Sequence, residues 1–515
     1  MTIIATTPRS RRRKNAKIRI EDLAVDQPNH PAFITRKIPS YALLQEEGLV
    51  QIEAQSEWIL SEIGIEILGD DEAIQLFKEA GATVNESRVR FDKGHVRLLC
   101  QKAPSQFNMH GRNPTRTITF GGDHVIFAPA YGPPFVTDSK DGRRYGTIKD
   151  FENFVKMTYM IPWLHHQSGT LCEPVDVPVN KRHLDMVYAH IRYGDKPFMG
   201  SVTAPDRAID SLRMAEIVFG AEFMKKNCVI QGNINANSPL VYDEVMSKAL
   251  CIYAAANQGV VISPFILGGA MSPVTMAGAL AQAHAEAMVG IALAQLVKAG
   301  CPVVYGNFLT TMDLKTGSPT FGTAESMLAT LAIGQLAKRL NLPFRCGGQY
   351  TASKLVDGQA MQESSDAMLA GVMSGANFIF QAAGWLEGGL TMGYEKFVVD
   401  ADHCGILQKY LSGLQIDESH LAIEAFQEVT PGGNFLGVRH TLDHFRNANH
   451  RSEIADNNSY ELWNEENRPT TEKRAYNRWK EMLVQYESPP LDEVIDEALR
   501  MFITEKKASI PDEWY

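Results

Sequence analysis

Residues 228–267 read CVIQGNINANSPLVYDEVMSKALCIYAAANQGVVISPFIL. Both ends are short apolar, β-branched runs, and the middle has apolar residues at helical spacing. The stretch is therefore one strand–helix–strand unit. The helix gives way at Asn257–Gly259, as helix C-termini tend to. The pattern repeats outward in both directions. HVIFAP (124–129), WLHHQSG (163–169) and PFMGSV (197–202) come before it; PVVYGNF (302–308), PFRCGGQ (343–349) and NFIFQAAG (377–384) come after. The gaps hold helical patterns such as IKDFENFVKMTYM and SMLATLAIGQLAKRL, and Gly194, Asn227, Gly300, Asn341 and Gly375 mark further helix ends. Strands alternating with helices imply parallel pairing through right-handed crossovers. Eight such units predict an α/β fold, a (β/α)8 TIM barrel over residues 121–415. No GxGxxG follows the first strand and there is no P-loop, which disfavours an open doubly wound sheet.

The flanks differ from the middle. Residues 40–120 predict an N-terminal helical and strand cap, with helices in LLQEEGLVQIEAQSEWILSEIGIEIL and DDEAIQLFKEAGA and short strands in RVRFD and TRTITFGG. Residues 416–515 predict a C-terminal helical extension, broken by Pro489-Pro490. Residues 1–39 read as a basic, flexible arm, because 9–19 hold seven basic residues and no acid.

Composition narrows the function. The chain has 515 residues and a net charge of −10, so no nucleic-acid partner is expected. Its seven cysteines form no CxxC pair, a reduced, cytoplasmic pattern rather than a disulfide framework or a zinc ribbon. The opening residues carry no apolar signal region, and the most apolar stretch, Met276 to Val297, includes His284 and Glu286. It reads as a buried helix, so no membrane partner is expected.

In a TIM barrel the chemistry sits at the C-terminal ends of the strands. Here those ends are rich in aromatics and amides and poor in acids. Tyr131, Phe135, Phe265, Phe308, Tyr350 and Trp385 belong to different strands yet would converge on one opening. Aromatic faces hold quaternary ammonium groups at about 0.5–2 kcal/mol per contact. Gln231, Asn233 and Asn235 lie in QGNINAN, an unfavourable strand composition of the kind found at functional sites, and Asn307 and Arg345 end later strands. Arg345, Gln231 and Asn233 are candidates for a ligand carboxylate. His165-His166 are adjacent, so at most one enters the barrel. Cys346 reads as a small core residue. His440 and His444 have i, i+4 spacing but no HExxH, and read as structural or surface residues. No Ser-His-Asp set or carboxylate pair is visible, so no catalytic residue is assigned and no directly bound metal is expected.

The stretches GSVTAPDRA, QGNINANSPL, GGAMSPVTMAGALAQAHAE, YGNFLTTMDLKTGSPTFGTAE, GGQYTASKLVDGQAMQES, GYEKFVVDADHC and GGNFLGVRHTLDHFR resemble the trimethylamine methyltransferase family, from about residue 40 to the C-terminus. The basic arm is expected to lie outside that resemblance. The resemblance implies a TIM barrel. It also implies a methyltransferase that passes a methyl group from an amine to cobalamin on a separate corrinoid protein. Founding members carry pyrrolysine near the end of a late strand, here within Gly347, Gly348, Gln349 and Tyr350; this chain has standard residues there. Pyrrolysine-lacking relatives are similar to glycine betaine methyltransferases and act on quaternary amines. The expected partners are a small methylated amine, the corrinoid protein and a second copy of this chain. A non-catalytic binding protein for a methylated amine, or another barrel enzyme such as a lyase, stays open on the residues alone.

Overall fold

The computed structural model describes residues 31–446 and 448–514; the basic run 9–19 lies outside them. Seven parallel strands follow one another around a ring: His124–Phe127, Phe198–Met199, Ile230–Ile234, Gly259–Ile262, Val303–Gly306, Phe344–Gly347 and Phe378–Phe380. Each pairs with the next from Phe198–Met199 onward. The last closes on the first, with Phe378 opposite Ile126 and Ile379 opposite Phe127.

Residues 163–169 fill the gap between the first two, but not as the regular strand expected. His165 N donates to Phe127 O (2.9 Å), Gln167 N to Pro197 O (2.8 Å), and Met199 N to Ser168 O (2.9 Å). The irregularity has a local cause. Ser168 has φ +65°, and its N–H is taken by Nδ1 of the His166 ring at 2.9 Å. A residue in the left-handed region with its amide turned to a side chain cannot continue a ladder. The barrel is thus eight-membered and closed, with one irregular stave. As expected for adjacent residues, the two histidines face opposite ways. His166 packs on Phe378 inside the barrel, and His165 turns toward Gln408 at 3.3 Å.

Helices follow each stave, among them Ile148–Met160, Glu244–Ala255, Ala324–Arg339 and Tyr394–Leu411. Met276–Val297 is long and apolar enough to cross a membrane by length and composition, yet it is almost wholly buried. Helices Glu46–Trp58, Asp71–Glu79 and His95–Cys100 sheathe the side turned away from the barrel. That explains why it lacks an amphipathic stripe. The hairpin Gln106–Met109/Ile118–Gly121 plugs the other end of the barrel: Met109, Ile118 and Phe120 pack against Ile126, Val261, Val304 and Phe378. Residues 34–36, placed with the arm from sequence, are attached to the barrel. Ile34 and Thr35 pair with Val125 and His124, and the Arg36 guanidinium donates to Val372 O and Ala376 O. At the C-terminus, Trp479 stacks on Tyr394 at 4.4 Å, and Lys507 pairs with Asp185 at 2.6 Å.

The irregular stave depends on one buried lysine. Lys196 is 2% exposed, and its Nζ donates to Thr158 O (2.6 Å), Ile161 O (2.8 Å) and Leu164 O (2.7 Å). Lys196→Met removes a donor from three buried carbonyls, leaving Thr158 O and Leu164 O with none, and should cost about 3 kcal/mol of unfolding free energy in urea; a change under about 0.5 kcal/mol would contradict this role. Burial also holds His190 and His284 neutral, lowering each from 6.5 to about 4. Because the unfolded chain binds those protons more readily, their contribution is complete above pH 6.5 and is lost as pH falls through about 4. Thermal melting should therefore drop steadily across that window.

Candidate functional site

Register decides which side chains enter the barrel. Residues paired across parallel strands point to the same side. Asn233 pairs with Val261 and Val261 with Val304, while Gly306 pairs with Arg345, and Gly347 with Phe380. Val261, Val304 and Phe380 belong to the interior cluster, so Asn233, Arg345 and Gly347 face inward with them. The interior near the strand ends therefore sets polar Asn233 and Arg345 and the small Gly347 among apolar Val261, Val304 and Phe380.

Above this layer the chain builds two lips. Phe265–Gly268 pairs in parallel with Phe308–Met312, which turns back through Pro319–Thr320. On the other side Trp385–Leu386 pairs with Thr391–Gly393, and that strand pairs with Phe135–Asp138. The lips and the loop after Gly347 bring four rings together. Phe308, Phe321 and Trp385 form a tripod with centroids 6.3, 5.6 and 6.0 Å apart. Tyr350 caps it at 5.2 Å from Phe308, 5.2 Å from Phe321 and 4.9 Å from Trp385. Phe265 backs Phe308 at 4.9 Å. Edge and tilted contacts at these spacings are favourable for aromatic pairs.

Arg345 lies beside this cluster and is 1% exposed. Its Nη1 donates to Asn307 O (2.6 Å) and its Nη2 to Gln381 Oε1 (2.7 Å). Its Nε has no protein acceptor, and no carboxylate pairs with it among the described residues. The guanidinium stands 5.6 Å from the Phe308 centroid and 5.1 Å from that of Phe380. Burial works against its charge, but an arginine stays protonated. An isolated buried cation is costly without a counter-charge. Nearby, Gln231 Oε1, Asn233 Oδ1, Ser263 Oγ and Trp385 Nε1 are also buried without a protein partner. Polar atoms left open at successive strand ends suit a small polar ligand.

The remaining expected residues land as follows. Tyr131 packs on Phe380 at 5.6 Å. Phe135 stays apart from the tripod, packed on Tyr145 at 4.7 Å under the Arg143 guanidinium at 3.5 Å. Asn235 is exposed, and its Oδ1 accepts from Asn233 at 3.4 Å. Asn307 contributes its carbonyl; its own Oδ1 is taken by Leu309 N at 2.9 Å. Gly348 and Gln349 lie behind the wall, with Gln349 Nε2 donating to Ala382 O and Asp400 O at 2.7 Å each. Cys346 is buried and its thiol pushed up to about 12 by desolvation. His440 and His444 are half-buried, with their rings 4.4 Å apart. Sequence reading missed Phe321 and Phe380. Phe321 stands alone in the polar run LKTGSPTFGTAE, and that isolation was its only signal.

A buried ion pair supports the Trp385 wall from behind. Lys396 and Asp400 are both fully buried, 2.5 Å apart, and Asp400 Oδ2 accepts from Gly384 N at 2.9 Å. Burial pushes the Asp400 carboxyl up to about 6 against the pull of Lys396.

Comparison with known proteins gives a consistent picture. The model of the trimethylamine methyltransferase family matches residues 9–511, so the match takes in the basic segment 9–19 that was expected to lie outside it. Glycine betaine methyltransferase from Desulfitobacterium hafniense is 37% identical over 92% of this chain and 99% of its own length. Trimethylamine methyltransferase from the same species is 28% identical over 89% of this chain and 93% of its own. Among solved structures, monomethylamine methyltransferase from Methanosarcina barkeri aligns over 87% of this chain and 96% of its own, at 11% identity and a TM-score of 0.47.

Asp400→Asn leaves the Lys396 charge buried without its partner. It should cost about 3–5 kcal/mol of stability and shift the Trp385 fluorescence, read as the difference from a Trp385→Phe control. An unchanged urea midpoint would remove the ion pair from the support of this wall.

Proposed function

This chain belongs to the trimethylamine methyltransferase family and is a methyltransferase, and we propose that its substrate is a quaternary amine bearing a carboxylate, glycine betaine or a close analogue. The observation that carries this reading is the buried Arg345, without a carboxylate partner among the described residues, beside the aromatic tripod. A cation and an aromatic cluster side by side suit a ligand with both an anion and a soft cation. Trimethylamine offers no anion to Arg345.

The acceptor we propose is cob(I)alamin carried on a separate corrinoid protein, which supplies a strong nucleophile. A quaternary ammonium has no lone pair and is already activated toward attack at methyl, so this chain needs no general base. Its residues then have to hold, orient and dry the substrate. Phe308, Phe321 and Trp385 stabilise the ammonium through their faces. Arg345 fixes the carboxylate, and Gln231, Asn233 and Ser263 offer further polar contacts. The apolar plug below keeps water from entering by that end. All seven cysteines are free thiols, which fits a reducing cytoplasm.

The purified chain with its corrinoid partner and reduced cobalamin should change the cobalt spectrum on addition of glycine betaine and not on addition of trimethylamine. Binding without any spectral change would favour a binding protein instead. Arg345→Met should weaken glycine betaine binding roughly 10- to 100-fold, the contribution of a charge-assisted hydrogen bond. Equal affinity in the variant would detach Arg345 from the substrate carboxylate.

A further inference from the structure

The four rings stand too close together to admit a ligand as they are. Tyr350 touches all three members of the tripod, at 4.9 to 5.2 Å between centroids, so its own ring fills the hollow they frame. A trimethylammonium group needs that space to lie over the ring faces. Tyr350 and Phe308 are partly exposed whereas Trp385 and Phe321 are buried; Phe308 is backed by Phe265, so Tyr350 is the ring with somewhere to go.

Two features hold it in place. The first is Gly347, which faces inward at the end of its strand. A Cβ there would lie 1.7 Å from Tyr350 Cε2, 1.8 Å from Cζ and 1.9 Å from Oη. The ring takes the space that any other residue at 347 would fill. The second is a shared acceptor. Tyr350 Oη donates to Gln381 Oε1 at 3.1 Å, and the same oxygen accepts from Arg345 Nη2 at 2.7 Å. Gln381 is itself held at φ +53°, a region non-glycine residues seldom adopt, with its carbonyl taken by Gln349 N at 2.9 Å. Its amide oxygen is thus a fixed link between the buried cation and the occluding ring.

We propose that Tyr350 is a specificity-determining residue that keeps the ammonium seat closed until a carboxylate reaches Arg345. The proposal rests on the zwitterionic substrate argued above. An incoming carboxylate draws the guanidinium from Gln381 and frees that side chain, and Tyr350 loses its tether as the ammonium displaces its ring. A ligand carrying only the ammonium cannot engage Arg345 and has to displace the tethered ring unaided. Selectivity for a zwitterion over a simple quaternary cation is then set by one phenol.

The test is calorimetric binding of glycine betaine and of tetramethylammonium ion to the full chain, its Tyr350→Phe variant and its Gly347→Ala variant. Tyr350→Phe keeps the ring and cuts the tether, so the preference for glycine betaine should narrow about tenfold, the contribution of one neutral hydrogen bond, through tighter tetramethylammonium binding. Gly347→Ala evicts the ring and should narrow it further; if that variant does not fold, Tyr350→Phe alone decides. An unchanged preference in Tyr350→Phe overturns the proposal. An equal loss of both ligands also overturns it, because Tyr350 is then a wall of the seat. If the wild type binds neither ligand but either variant gains tetramethylammonium, the closure stands and the betaine reading falls. If nothing binds to any form, both fall.

Discussion

The parallel register around the barrel is the constraint on which the rest of this structure depends. A shift of one residue in any strand would turn its side chains to the opposite face. Arg345 and Gly347 would then point at helices, and Phe344 and Cys346 would enter the barrel. The register is fixed by large residues facing out as much as by those facing in. Tyr305, paired with Phe344, meets His284 of the long apolar helix at 2.8 Å, while its neighbour Gly306 is opposite Arg345 inside. The outward aromatic and the inward glycine cannot exchange places without burying a clash.

Much of this was legible in the sequence because both periods involved are strong. Apolar β-branched runs between helical patterns gave the staves and their order. The aromatics at the strand ends pointed to one opening, and Phe308, Tyr350 and Trp385 do meet there. What could not be read is what depends on loops. Phe321 reaches the tripod from a hairpin, and no strand spacing foretells that. Phe135, expected just past the end of the first stave, instead begins a separate strand that belongs to a lip and turns its ring toward Arg143. The side chain of Asn307 turns back to its own backbone, a local competition that short amides often win. The second stave was misread for a similar reason: its composition suits a strand, but the His166 ring takes the Ser168 amide.

The electrostatics divide by role. Lys196 is buried and wholly satisfied by three carbonyls, and Lys396 is buried and paired with Asp400. Arg345 is equally buried but, among the described residues, left with an open Nε and no anion. Folding alone accounts for the first two. The third is a conflict within the fold, and such conflicts concentrate where a protein meets its ligand.

The hairpin that stops the far end of the barrel has a kinetic meaning. Among the described residues it turns the barrel into a well that opens under the two lips. For the amine donor and corrinoid-borne acceptor we propose, that shape means a single doorway used in turn. The amine must be seated before the acceptor arrives, and its demethylated remnant can leave only after the acceptor has withdrawn. Compulsory order follows from the shape of the well, and an acceptor that comes too early bars the way to its own methyl donor.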